Sequence, residues 1–264
     1  MQPPDGSGDY LSGSRYNQIT DRNCSKSLLR DEPSVVPVPL EIEPRMSDPA
    51  FAAASLPDGS LTLEEVPRRK EAVYLLDFDG VVAAGVEDAI YKLPSQPGEE
   101  AVLRDFARRF AIRCEAMELR YQRHLLFQEA ARRMGLPIQP GPGIALARWA
   151  AAEARCFVLT ARSGWSAAER ARIFIAENMV PPIEMYQVGR TQKIGQVALV
   201  CSEFKESKVY YVEDSKKHLS DAALLRHENL SLAYSDPGVS MDQALELYRG
   251  VMATERHGVT GREP

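Results

Sequence analysis

An apolar segment that runs straight into two carboxylates constrains this chain most. Residues 72–76 read Ala-Val-Tyr-Leu-Leu, and Asp77, Phe78, Asp79 and Gly80 follow at once. An apolar run without alternation is typical of a strand buried on both faces of a parallel sheet. Because an unpaired buried carboxylate is costly, the acids need a partner, and a bound cation or a phosphoryl group to attack would supply one. A glycine beside them lets the backbone turn sharply. The alternative is a strand that ends in a solvated, Asp-rich turn.

The composition excludes several classes of protein. The chain has 264 residues, of which 44% are apolar and 26% charged, with a net charge of −5, so no basic field points to nucleic acid. No apolar run approaches the ~20 residues that cross a bilayer, and the N-terminus lacks a secretory signal pattern. We therefore expect a cytoplasmic protein with no membrane partner and no obligate protein partner. Free thiols in a reducing compartment are predicted for the four scattered cysteines, which are Cys24, Cys114, Cys156 and Cys201.

The first 68 residues differ from the rest. They hold nine of the eighteen prolines and carry six Lys or Arg against eleven Asp or Glu, an excess of five acids that equals the whole net charge. Such a composition buries too little apolar surface to offset chain entropy, so residues 1–68 are predicted as a largely disordered tail, with an extended piece at 35–42 and a turn at 57–59. We interpret the tail as a linker, and a signal for specialised bacterial export is the alternative. Residues 256–264 are predicted as a flexible C-terminus.

Downstream of the first strand, buried strands alternate with helical patterns. Further strands are predicted at 155–160, 183–188, 208–212 and 230–234, and helices at 144–154, 166–178, 191–203, 216–226 and 241–252. This order predicts an α/β fold, a doubly wound parallel sheet. Right-handed crossovers place all strand ends at one edge, where ligands bind.

The stretch between the first two strands is far longer than one crossover helix requires. A loop is predicted over 83–99. Residues 100–134 contain no Gly or Pro and carry apolar side chains at helical spacing, which predicts two helices, with Gly135 as a C-cap. Eight arginines against four acids within 101–134 are typical of a solvated helix face, and a basic lid that steers anions is the alternative.

Polar side chains stand where the predicted strands end. They are, in chain order, Asp77, Asp79, Thr160, Lys193, Glu213 and Asp214. Over about residues 72–235, these positions resemble the four ordered motifs of the haloacid dehalogenase (HAD) superfamily: an Asp-x-Asp strand, an apolar strand with Thr, a Lys and an acidic pair. The resemblance implies a HAD-like Rossmannoid core over 69–255, with residues 86–140 as a helical cap insertion.

The same resemblance implies roles for the acids. Asp77 would be the nucleophile that becomes an aspartyl phosphate, and Asp79 would protonate the leaving oxygen and then deprotonate water. The cofactor would be Mg²⁺, held by Asp77, the Asp79 backbone carbonyl and Asp214, because Mg²⁺ prefers oxygen ligands. An acid at position 79 favours phosphate ester hydrolysis or phosphotransfer, because the dehalogenase and phosphonatase branches lack it. The next acid after Asp214 is Asp221, further along than usual, so Glu213 is a candidate for the second acid.

The phosphate side is implied in the same way. Thr160, Ala161 and the amides after them would hold phosphoryl oxygens, while Lys193 offsets their charge. An exposed helix lysine is commonplace, so Arg190 or Lys208 remain alternatives. A further site candidate is Arg162, next to the Thr motif.

The substrate is less constrained. A cap favours a small phosphorylated metabolite or nucleotide, since caps exclude water and contact the leaving group. Residues 160–162 and 213–218, however, look like motifs of HAD members linked to nucleotide or nucleic-acid ends, and His218 in the latter is expected to be an exposed helix residue. A binding or effector module with little catalysis is a third hypothesis. The candidate inner-face arginines of the lid are Arg104, Arg108 and Arg120.

Overall fold

A computed structural model describes residues 55–109, 118–162, 165–188 and 192–257. Its strands are β1 (Leu61–Thr62), β2 (Val73–Asp77), β3 (Arg155–Thr160), β4 (Glu184–Gln187), β5 (Val209–Glu213) and β6 (Leu230–Tyr234). Its helices are α1 (Val86–Lys92), α2 (Glu99–Arg109), α3 (Leu119–Arg133), α4 (Ile144–Glu153), α5 (Trp165–Asn178), α6 (Lys193–Glu203), α7 (Lys216–Ala223) and α8 (Met241–His257). The predicted extended piece at 35–42 lies outside the described residues, as do Cys24 and Cys114.

The six strands form one parallel sheet in the order β1-β6-β5-β2-β3-β4. The predicted α/β class and parallel sheet are therefore confirmed. The apolar run that opens the domain becomes the central strand β2, which is buried along its whole length. Leu75 in its middle pairs with Phe157 of β3 and Tyr211 of β5. A strand covered on both faces disfavours charged side chains before its end, which explains the unbroken apolar run.

The sheet reaches further towards the N-terminus than the predicted tail boundary at residue 68. Leu61 and Thr62 pair with β6, and Val66 is buried in the core. The turn predicted just before them forms, since the Ser60 amide donates to the Pro57 carbonyl at 3.1 Å. The short edge strand carries no long apolar run, so the composition of the tail concealed it.

The stretch between β2 and β3 differs in part from its prediction. The helical pattern over 100–134 becomes α2 and α3, with residues 110–117 outside the described part. Gly135 adopts φ +63° after α3, and the Leu136 amide donates to the Ala131 carbonyl at 2.9 Å, as expected at a C-cap. The loop predicted over 83–99 is wrong in its middle, which forms the seven-residue helix α1. Flanking Gly and Pro residues hid a helix of only two turns.

The inserted helices α1, α2 and α3 pack with α8 around their own apolar cluster. Its largest members include Ile90, Leu103, Phe106, Leu126 and Tyr248. The sheet has a separate cluster on each face. Within the described ranges, no helix is long and apolar enough to cross a membrane.

A buried ion pair lies inside the inserted helices. Arg123 of α3 bonds to both carboxylate oxygens of Glu99 in α2, its Nη2 donating to Oε2 at 2.9 Å, and its Nη1 donates to the Leu93 carbonyl at 2.6 Å. The Tyr248 hydroxyl of α8 also donates to Glu99, at 2.7 Å. Burial acts to raise the pKa of Glu99, but hydrogen bonds from Arg123, the Gln96 amide and Tyr248 lower it overall. The carboxylate is therefore charged at neutral pH and joins three helices.

We expect Arg123→Met to destabilise the fold by about 3–5 kcal/mol, because it leaves the Glu99 carboxylate buried without a countercharge. Urea denaturation measures the loss. Arg104→Met is the matched control, since its partner Glu100 lies on the exposed face of α2 and exposed pairs contribute little. Equal losses in the two variants would contradict a structural role for the buried pair.

Candidate active site

The turn after β2 is held by a dense set of backbone hydrogen bonds. The Phe78 amide donates to the Leu159 carbonyl of β3 at 2.9 Å, and the Gly80 amide donates to the Ala83 carbonyl at 2.8 Å. Gly80 has φ +80°, a backbone conformation that residues with a side chain rarely adopt. The Ser235 hydroxyl, after β6, donates to the Gly80 carbonyl at 3.1 Å. The turn is therefore held on one side by β3 and on the other by the segment that follows β6.

Asp77 lies buried at the end of β2 and contacts Lys193. Its Oδ1 accepts a hydrogen bond from the Phe78 amide at 2.8 Å, and the Lys193 ammonium lies 2.8 Å from its Oδ2. Lys193 is the first residue of α6 and is 3% exposed. Of the alternatives to it, Lys208 instead donates to the exposed Glu228 carbonyl at 3.3 Å, and Arg190 is outside the described residues. The geometry thus brings Lys193, the lysine that the sequence motifs pointed to, into contact with Asp77.

Glu213, at the end of β5, is fully engaged by protein groups. Its Oε2 lies 2.8 Å from the Lys193 ammonium and accepts from the Tyr211 hydroxyl. Its Oε1 accepts from the Ser215 amide at 3.2 Å and lies 3.4 Å from Nδ1 of His218. The expectation that His218 is exposed is wrong in part, because the side chain is 23% exposed and faces Glu213. Glu213 therefore holds the lysine in place.

Three buried acids meet at this edge. Asp77, Glu213 and Asp214 each offer an oxygen atom within 4.8 Å of the others, a spacing that could hold a metal ion. Asp214 has no ion-pair partner within the described ranges, and a Cβ on Gly80 would lie 2.1 Å from its Oδ2. Glycine therefore leaves the room that this carboxylate occupies.

The electrostatics of the three acids indicate a missing positive charge. Burial, followed by the charges of Glu213 and Asp214, raises the pKa of Asp77 well above its usual range. Burial and the neighbouring Glu213 and Asp88 do the same to the pKa of Asp214. The pKa of Glu213 is lowered, because Lys193 and His218 outweigh its burial. One ammonium cannot neutralise three carboxylates, so a divalent cation fits this donor set.

Asp79 points to a different cation. Nη2 of Arg162 donates to its Oδ1 at 2.7 Å, and Nε donates to its Oδ2 at 3.1 Å. The side-chain carboxylate of Asp79 is not in the metal-binding group found within the described residues. Its predicted contribution to a metal site was the backbone carbonyl, which remains compatible with this arrangement.

The threonine motif lies beside these groups. Thr160 ends β3 and is fully buried, and its hydroxyl accepts from the Arg162 amide at 3.2 Å. Ala161 is half-buried. β3 pairs directly with β2, with Leu159 opposite Asp77, so Thr160 stands one residue beyond the candidate nucleophile.

Two contacts in this region were missed in the sequence. Glu87, in the first turn of α1, lies 2.9 Å from Nη2 of Arg162. Tyr211 supports Glu213 from two residues earlier on the same strand. The period-two spacing on β5 could have indicated Tyr211, whereas no local signal marked Glu87.

Within the part of the chain that the structure describes, the three arginines predicted to line the inner face of the insert do not contact the candidate site. Arg104 pairs with Glu100, with 72% of its side chain exposed, and Arg108 is exposed. Arg120 contacts Glu118 and the Tyr91 ring. Among the described residues of the insert, the arginine that is buried is Arg123. It is not among the arginines predicted from the sequence, because helical spacing does not separate the core face from the solvent face.

No family model and no curated protein matches the chain. Two solved structures resemble it. A haloacid dehalogenase-like family hydrolase from Xanthomonas campestris is 13% identical over 76% of this chain and 100% of its own, with a TM-score of 0.35. The HAD domain of the effector protein Lem4 from Legionella pneumophila, an inactive mutant, is 10% identical over 72% of this chain and 99% of its own, with a TM-score of 0.27. At these identities and TM-scores the two matches assign no role to any residue, so the roles of individual residues rest on the geometry of this chain.

We expect Gly80→Ala to destabilise the protein more than Gly135→Ala. Both glycines have positive φ, so each variant carries backbone strain of about 1–2 kcal/mol. A methyl group at position 135 meets nothing within 4 Å, whereas at position 80 it overlaps the Asp214 carboxylate. Urea denaturation of the two variants isolates this overlap, and equal losses would contradict it.

Proposed function

We propose that this chain is a HAD-type phosphatase, a phosphoric monoester hydrolase that depends on Mg²⁺ and acts through an aspartyl-phosphate intermediate. The observation that carries the proposal is the buried Asp77–Lys193 contact of 2.8 Å within a group of three acids, which the single ammonium leaves two positive charges short of neutrality. A nucleophilic carboxylate, a cation for the phosphoryl oxygens and a place for a metal ion are the parts that phosphoryl transfer requires.

In the first half-reaction, a carboxylate oxygen of Asp77 attacks phosphorus and the bond from phosphorus to the ester oxygen breaks. Asp79 donates a proton to the departing oxygen, which leaves as an alcohol. In the second half-reaction, Asp79 accepts a proton from a water molecule whose oxygen attacks the same phosphorus. The bond between phosphorus and Asp77 breaks, which releases inorganic phosphate and restores both acids.

The donor set fits a magnesium ion. Asp77, Asp214 and the Asp79 backbone carbonyl would hold it, while Glu213 remains bonded to Lys193. Mg²⁺ prefers such oxygen donors and supplies charge neutralisation for the phosphoryl oxygens when bound. Thr160, the Ala161 backbone and Lys193 would bind the same oxygens from the protein side.

The favoured substrate is a small phosphorylated metabolite or nucleotide. The inserted helices reach the candidate site, since Glu87 of α1 contacts the arginine that holds Asp79. A leaving group would therefore meet the insert, which favours compact substrates. The second candidate is a nucleic-acid end, which the exposed Lys216 and Lys217, one residue after the acidic pair, favour.

We expect Asp77→Asn to lower phosphate release by at least about a thousandfold while the fold is retained, because the amide is isosteric but a poor nucleophile. The experiment screens wild type and variant, with Mg²⁺, on small phosphomonoesters, mononucleotides and phosphorylated oligonucleotide ends. Activity of the variant within tenfold of wild type would contradict the covalent mechanism.

The same panel separates the substrate hypotheses. Preference for every oligonucleotide end over all mononucleotides, with binding that weakens steeply as salt rises, would favour nucleic acid. No turnover of any substrate by the wild type would favour a binding or effector module.

We expect EDTA to abolish activity, Mg²⁺ to restore it, and Asp214→Asn to raise the Mg²⁺ concentration needed by at least about tenfold, because one charged oxygen ligand is lost. Titration of Mg²⁺ against initial rate measures this. Asp242→Asn, an exposed acid at the start of α8, is the matched control. An identical Mg²⁺ profile for Asp214→Asn and wild type would remove Asp214 from the site.

A further inference from the structure

Arg162 lies between two acids that come from different parts of the chain. Its Nη2 donates to Asp79 at 2.7 Å and also lies 2.9 Å from Oε1 of Glu87. Its guanidinium stands 5.0 Å from the centre of the Phe78 ring. Asp79 follows the central strand, Arg162 follows β3, and Glu87 belongs to the insert. One guanidinium therefore connects three separate segments.

This arrangement places charged groups away from water. The Arg162 side chain is 4% exposed and that of Glu87 9% exposed, so two charges are taken out of water. Nη1 of Arg162 is also buried and has no hydrogen-bond partner in the described part of the chain. Buried ion pairs barely repay their desolvation, and an unsatisfied donor adds a penalty. The guanidinium is therefore not placed so that the described part of the chain satisfies all of its hydrogen-bond donors.

Glu87 is fixed on both of its oxygens. Oε1 faces Arg162, and Oε2 accepts from Nε2 of Gln128 in α3 at 2.6 Å. The carboxylate therefore cannot rotate away without breaking a contact to a second inserted helix. Glu87 in turn limits the directions from which Arg162 can reach Asp79, whose side chain is the more exposed of the two acids at 21%.

We propose that Glu87 and Arg162 are positioning residues that aim the Asp79 carboxyl group at the leaving oxygen of the substrate. This inference rests on the proposed function, because it assigns Asp79 the proton donated to that oxygen. Arg162 orients Asp79 directly, and Glu87 acts through Arg162. The insert thereby contributes a residue to the proton-transfer geometry.

The test exploits how much each leaving group needs a proton. An alkyl alcohol is a poor leaving group and depends on the general acid, whereas p-nitrophenol departs readily without it. The quantity measured is kcat/KM, which covers the steps up to departure of the alcohol and excludes the later attack of water. The substrates are ethyl phosphate and p-nitrophenyl phosphate.

For Arg162→Lys, which keeps the charge but loses the two-pronged contact, we expect kcat/KM to fall about a hundredfold on ethyl phosphate and less than about threefold on p-nitrophenyl phosphate. For the isosteric Glu87→Gln, we expect kcat/KM to fall about tenfold on ethyl phosphate and less than about threefold on p-nitrophenyl phosphate. In the double variant, the Glu87 substitution adds no further loss, because its effect passes through Arg162.

The matched controls are Arg104→Lys and Glu100→Gln, an arginine and a glutamate that pair on the exposed face of α2. Both should leave the ratio of the two kcat/KM values unchanged.

The inference is overturned if Arg162→Lys and Glu87→Gln lose kcat/KM equally on both esters, or lose it on neither. In that case the proposed function still stands if the wild-type activity depends on Asp77. If Arg162→Lys does not fold, Glu87→Gln alone decides. A wild type that hydrolyses neither ester overturns both proposals.

Discussion

The contact of the Lys193 ammonium with the carboxylates of Asp77 and Glu213 is the interaction on which the candidate active site depends. Each acid ends a central strand, and each would be costly to bury without a countercharge. Lys193 is itself buried, and its pKa is raised because the attraction of Asp77 and Glu213 outweighs its desolvation. The lysine can occupy this position because α6 begins with it. The three charges therefore stabilise one another, and within the described ranges Asp214 has no countercharge of its own.

The alternation of side chains along two parallel strands explains why these groups meet. Val73 and Leu75 on β2 point to the cluster that includes Val197 of α6, and Asp77 continues that row. On β5, Val209 and Tyr211 contribute to the same cluster, and Glu213 follows them. The intervening residues of both strands pack against the opposite cluster. A shift of either strand by one residue would turn its acid away from α6, so apolar packing over the whole strand sets the position of one carboxylate.

The sequence was informative wherever a residue's environment was determined locally or by strand order. The unbroken apolar run before Asp77 predicted the central strand, and strand order alone brought Thr160 and Glu213 to the same edge. The contacts of Glu87 were not predictable, because they join an insert helix to a loop 75 residues later and depend on how the insert packs. Helix α1 itself was missed because its seven residues carry too short a pattern to distinguish from a loop.

A helix as short as α1 cannot be stable by itself, because nucleation outweighs the few hydrogen bonds that it gains. Tertiary contacts must therefore hold it, and they fall on two sides. Ile90 packs in the apolar cluster that the insert shares with Tyr248 of α8. Glu87 meets Arg162 at the candidate site. The folding of the insert and the geometry around Asp79 thus share one element. We therefore expect a change that loosens the apolar contacts of α1 to loosen the Glu87 carboxylate as well, which couples the packing of the insert to the geometry of the candidate site.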